Sequence, residues 1–137
     1  MTKNWSLAPN RYLSKPELSE LLRKAEDVRT LGVARGQQQF VRDWAIVRFS
    51  VLSGLRANEL AMLKVEDCLI GYGRSELVVR NGKGGKHRVV RIGGDLKRDI
   101  RWFLAWKREH GELVDGAFLL RSQRAERLTP SALWRRW

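Results

Sequence analysis

Two short runs carry residue types able to handle a phosphate group. The first is Ser53-Gly54-Leu55-Arg56-Ala57-Asn58-Glu59-Leu60, and the second is the glycine-rich basic run Asn81-Gly82-Lys83-Gly84-Gly85-Lys86-His87-Arg88. An arginine at a junction between elements can clamp a phosphate through its planar fork, and a lysine on a turn can reach an oxygen leaving that phosphate. Together they form half of a phosphoryl-transfer site. The complement is missing: no tyrosine, histidine or second arginine follows in an order that would complete such chemistry, and both tyrosines, Tyr12 and Tyr72, precede the second run.

Each run also has a plain structural reading. An arginine three residues before a carboxylate, as in Arg56 and Glu59, makes an ordinary helix ion pair of about 0.2–0.5 kcal/mol. Gly82, Gly84 and Gly85 remove the side chains that would keep backbone away from a ligand, yet they would equally suit a flexible turn between strands. A P-loop is excluded, because the gap that must precede Gly-Lys-Ser/Thr is absent.

The elements that must position these residues follow from periodicity. Residues 1–13, with Pro9 and Asn10 and no repeat of apolar positions, read as an extended arm. Ser14-Lys15-Pro16-Glu17 has the form of a helix start, with Ser14 as cap, Glu17 as capping-box partner and Pro16 in the first turn. Leu18, Leu21, Leu22 and Ala25 then share a face, and Arg35-Gly36-Gln37 links to a second helix over 38–52. That helix is apolar nearly all round (Phe40, Val41, Trp44, Ala45, Val47, Phe49, Val51, Leu52), the mark of a buried one. Ser53-Gly54 ends it, and 57–64 reads as a short helix with Leu60 and Leu63 inward, leaving Arg56 between helices.

From Cys68 to Ile92 the period becomes that of strands. Cys68-Leu69-Ile70, Leu77-Val78-Val79 and Val89-Val90 with Ile92 predict a small three-stranded antiparallel sheet around the glycine-rich turn. Over 95–109 helical spacing returns, with Leu96, Ile100, Phe103 and Leu104 inward and Lys97, Arg98, Arg101, Lys107 and Arg108 outward. Residues 117–120 read as a brief extended piece. Thr129-Pro130 opens a last helix on which Trp134 and Trp137 share a face. The fold class expected is α+β, mostly helical.

Composition narrows the partners. The 137 residues suit one domain, and 43% hydrophobic with 31% charged residues is a globular balance. The 27 Lys and Arg against 15 Asp and Glu leave a formal charge of +12, which favours a polyanion, nucleic acid first. A membrane surface fits poorly, because the cations are spread over several elements. Cys68 is the one cysteine, so no intrachain disulfide can form, and a reducing cytoplasmic setting is the natural expectation. No apolar run approaches a membrane span, and no metal or cofactor is called for.

In this order and on these elements, the two runs resemble those of the tyrosine recombinase (phage integrase) family. Arg11-Tyr12-Leu13-Ser14 with Pro16-Glu17 is similar to the opening of that family's catalytic domain. Ser53 to Leu60 is similar to its first-arginine motif, and Gly82 to Arg88 to its active-site lysine hairpin. Phe118-Leu119-Leu120 and Leu128-Thr129 also fit in order and spacing. The resemblance covers most of the chain but only the front of that catalytic domain, so that 14–137 reads as an incomplete one.

The family cuts DNA with a tyrosine that attacks the scissile phosphate and leaves a free 5′-hydroxyl. By resemblance Arg56 would bind a non-bridging phosphate oxygen, Lys83 would protonate the leaving oxygen, and Glu59 would hold the Arg56 fork in place. Lys83, not Lys86, matches the family's position between glycines. Lys86, Arg88 and Arg91 would be backbone contacts, each equally readable as a solvated strand charge. The family's His-x-x-Arg box has no counterpart: His87 is followed at the third position by Val90 and His110 by Leu113.

Three functions are therefore expected to compete. The first is a recombinase-like protein that binds duplex DNA but cannot cut it alone. The second is a fragment or split half of an active recombinase, completed by another polypeptide such as a recombinase subunit; self-association of this chain would cover apolar surface but could not restore the missing chemistry. The third is a small basic RNA-binding protein, disfavoured because the tryptophans have helical spacing and no base-stacking strand pattern occurs.

Overall fold

The computed structural model describes residues 13–80 and 87–121. The arm as far as Tyr12, the hairpin tip with Lys83 and Lys86, and the closing helix with Trp134 and Trp137 lie outside those residues. The described elements are α1 (Lys15–Arg35), α2 (Gln38–Ser53), α3 (Ala57–Met62), β1 (Cys68–Leu69), β2 (Glu76–Arg80), β3 (His87–Arg91) and α4 (Gly94–Glu109). The strands form one antiparallel sheet in the order β1-β2-β3.

α1 begins as its sequence dictates. The Glu17 amide donates to Ser14 Oγ at 3.3 Å and the Ser14 amide to Glu17 Oε1 at 2.9 Å, so two orphan donors of the first turn are satisfied reciprocally. Gly36 ends the helix in the left-handed region at φ 67°, and the chain doubles back into α2. The two helices touch closely at Gly32, where an added Cβ would lie 2.7 Å from that of Phe40.

The core lies between α2, α4 and the inner face of the sheet. Trp44 meets Phe49 and Trp102 edge-on at 5.8 and 5.2 Å, and Phe103 stacks on Trp106 at 5.6 Å. Leu77 and Val79 on β2, Leu60 on α3 and Leu119 close it from below. The outer residues of β2 alternate with these, as the pleat requires.

Three expectations need correction. Lys107 does not face outward: it is fully buried, on the same face of α4 as Ile100 and Phe103. Its ammonium lies 3.1 Å from Glu112 Oε1, and Arg42 grips the same carboxylate at 2.6 and 3.1 Å. A buried ammonium is tolerated only when so partnered, and burial still pushes its pKa below the ordinary lysine value. α2 is likewise not uniformly apolar inside, since Arg42 and Ser50 are buried in it while Phe40, Val47 and Leu52 are half-buried.

The third correction concerns 57–64. α3 stops at Met62, and a 3-10 turn over Val65–Asp67 precedes β1. The backbone leaves the helix because it is wanted elsewhere: Lys64 bridges Phe118, Val65 N–H donates to Ala117 O and Leu119 N–H to Leu63 O, both at 2.9 Å. These bonds seat the extended 117–120 piece, whose Leu119 and Leu120 are buried.

Candidate active site

Arg56 is placed by three residues before it. The Leu55 amide donates to Ser53 Oγ at 3.1 Å, and Gly54 turns the chain out of α2 at φ 68°. Leu55 is then buried as an anchor, and Arg56 follows in extended backbone as the N-cap of α3 with its side chain exposed. Gly54 is a position where only glycine adopts the needed conformation without strain. The motif is thus a helix stop, an anchor and a presented guanidinium.

Glu59 works differently from either expectation. Its carboxylate accepts from the Arg56 main-chain amide at 3.0 Å, capping α3. Its fork-to-fork partner is Arg88 of β3, at 2.7 and 3.2 Å. The bonding is therefore neither a helix ion pair nor a grip on the Arg56 guanidinium; Glu59 holds Arg56 by its backbone. Burial pushes the Glu59 carboxyl up, but the hydrogen bonds from Arg88 and the Arg56 amide outweigh it and leave the pKa below its ordinary value. The hydrogen bond to Glu59 raises that of Arg88 in turn.

A second carboxylate repeats the arrangement across the sheet. Asp67 accepts from the Lys64 amide at 3.1 Å and from Nε and Nη2 of Arg80, each at 2.9 Å. Arg80 pairs with His87 and Val79 with Arg88 in the last two rungs described before the glycine-rich turn. Directly paired residues share a face and neighbours alternate, so Arg80 and Arg88 leave opposite faces of the sheet at its hairpin end.

The remaining candidates separate from this site. Arg91 is exposed at the far end of β3, opposite Glu76. Tyr72 is fully exposed in the β1–β2 turn; the length of β2, roughly 17 Å, keeps it from the Arg56 end. His110 Nδ1 donates to Trp106 O at 2.8 Å and its ring lies against Trp106, a helix-end contact. The groove of about 800 Å³ between α1 and α4 includes Arg48 and Asp99, already paired with each other at 2.7 Å, and does not include Arg56. No cluster of metal-ligating side chains occurs among the described residues.

Residues 11–137 match the model of the phage integrase family. The chain belongs to that family. Among its relatives, tyrosine recombinase XerA of Pyrococcus horikoshii is 35% identical over 95 residues, covering 69% of this chain and 32% of the relative. Tyrosine recombinase XerD of Pasteurella multocida is 31% identical over 129 residues, covering 92% of this chain and 39% of the relative. A crystal structure of XerA recombinase superposes with a TM-score of 0.68 at 28% identity over 90% of this chain and 39% of that one. The chain thus spans about a third of the length of these relatives, and its mixed helical and three-stranded architecture is that of a tyrosine recombinase catalytic domain.

Sequence reasoning missed the Asp67–Arg80 and Glu59–Arg88 pairs. Lys64-x-x-Asp67 has the spacing of a capping box but lacks the Ser or Thr that flags one, and the arginine partners come from strands. Among the described residues no helix is long and apolar enough to cross a membrane.

Proposed function

We propose that this chain binds duplex DNA as the phosphate-clamping part of a tyrosine recombinase, with Arg56 and Lys83 converging on one backbone phosphate. Arg56 donates to a non-bridging oxygen and stabilises charge developing in the transition state, and Lys83 supplies the proton to the departing 5′-oxygen. Neither Tyr12 nor Tyr72 follows the lysine run, so residues 1–137 acting alone hold DNA without cutting it. Lys86 and Arg91 add phosphate contacts.

The observation that carries this reading is the exposed Arg56 at the α3 N-cap, braced through Glu59 to the strand that leaves the lysine run. A formal charge of +12 supplies the long-range attraction. The test is fluorescence anisotropy on a labelled duplex over a salt series, where log K falls by about 0.9 per log salt for each phosphate neutralised. Arg56→Ala lowers both the affinity and the slope. Duplex DNA outcompetes RNA, and the chain alone leaves supercoiled plasmid unrelaxed. A flat salt response, or preference for RNA, overturns the reading.

A further inference from the structure

Arg80 and Arg88 are the two basic residues nearest the lysine run on its two strands, and charge alone would make both of them DNA contacts. We propose instead that they are positioning residues, which fix the hairpin end of the β2–β3 ladder against the Arg56 junction and do not themselves neutralise phosphates. The inference rests on the DNA-binding reading above and deepens it.

Both guanidinium groups are already engaged. Arg88 meets Glu59 through two nitrogens and two oxygens, at 2.7 and 3.2 Å, and Arg80 closes on Asp67 through Nε and Nη2, both at 2.9 Å. Each carboxylate is itself fixed, because each also accepts a main-chain amide, that of Arg56 for Glu59 and that of Lys64 for Asp67. Asp67 is almost wholly buried. Side chain, carboxylate and backbone therefore form two rigid links from the sheet to the segment 56–67.

The links act from opposite faces. Val79 faces the core and shares its face with Arg88, which reaches the start of α3; Arg80, the neighbour of Val79, leaves the other side of the pleat and closes on Asp67 of the turn before β1. Val79, buried in the core beside Arg80, already seats the ladder, and one link alone would brace only one of its faces. Two, on opposite faces, hold the strand ends in one orientation relative to Arg56.

Salt-dependent anisotropy on a labelled duplex separates positioning from contact. Arg88→Ala and Arg80→Ala are expected to weaken binding roughly tenfold, the scale of one lost charge-assisted pair, with the salt slope unchanged. A phosphate contact would instead lower the slope by about 0.9. Arg88→Lys keeps the charge without the fork, and it fails to restore affinity if Arg88 positions but restores it if Arg88 contacts phosphate.

Glu59→Gln is the sharpest arm. Removing a carboxylate beside DNA strengthens binding if Arg88 is thereby freed for a phosphate, and weakens it if the link is what matters; strengthening overturns the proposal. Amide exchange of Arg56 gives a readout without DNA. Its N–H should exchange faster in Arg88→Ala, and unchanged protection would also overturn the proposal. If the wild-type chain fails to bind duplex DNA while that exchange does accelerate, the links stand and the DNA-binding reading fails.

Discussion

Glu112→Ala removes the carboxylate that Arg42 and Lys107 share, leaving two cations inside the core. The side chains of Arg42, Lys107 and Glu112 are 4%, 0% and 6% exposed, so water cannot take the place of the lost partner. Breaking such a pair costs about 3–5 kcal/mol, against a total stability of about 5–15 kcal/mol for a domain. In urea, with a slope of about 1.5 kcal/mol per M, the midpoint should fall by roughly 2–3 M. Lys107→Met is the control, since it removes one buried cation, preserves volume, and leaves Arg42 its bidentate partner. Replacement by a packed apolar group of this kind is often neutral. A Glu112→Ala cost below about 1 kcal/mol, or a Lys107→Met cost larger than it, would refute the reasoning that this carboxylate neutralises the interior.

Four further outcomes are expected. Glu112 has its pKa lowered to about 2 from an ordinary 4.5, as the Arg42 and Lys107 partners outweigh burial; its stabilisation is complete above 4.5 and is lost as pH falls toward 2. Between these limits the unfolding free energy read from urea titrations should drop by about 3 kcal/mol in the wild type and by much less in Glu112→Gln. Gly32→Ala drives a methyl against Phe40 and the Gln37 carbonyl and should cost about 1–3 kcal/mol, read from thermal melts. Gly54→Ala meets no neighbour but forces a left-handed φ of 68° on alanine; about 1–2 kcal/mol is expected, with weaker DNA binding through a displaced Arg56. Burial, with a smaller contribution from the Asp67 charge, pushes the Cys68 thiol up to about 12, so thiol reagents at pH 8 should label the half-buried Cys68 far more slowly in the folded chain than under denaturing conditions.

The legible part of this fold is the part written in local signals. Ser14 with Glu17, the glycine at 36, the glycine at 54 and the change of period at Cys68 each specify their structure within a few residues, and each appears where the sequence predicts it. Arg56 was legible for the same reason, since its exposure follows from the helix stop and the buried Leu55 before it. The misreadings arose where distant residues decide. Lys107 occupies a core position of α4 by helical spacing, and only Glu112, five residues on, makes its charge tolerable, while Arg42, seventy residues from Glu112, is a second cation on the same carboxylate. Glu59 carries no mark in sequence that its fork-bonded arginine lies on β3, because strand-to-helix pairs have no fixed spacing.

The central claim is that the Arg56 guanidinium and the Lys83 ammonium meet at one phosphate, and a crystal structure of the chain bound to a DNA duplex tests it most directly. The expected result has both groups within about 3.5 Å of oxygens on the same backbone phosphate, with Arg88 still on Glu59. Two cations on separate phosphates, or Arg56 turned away from the duplex, would contradict it.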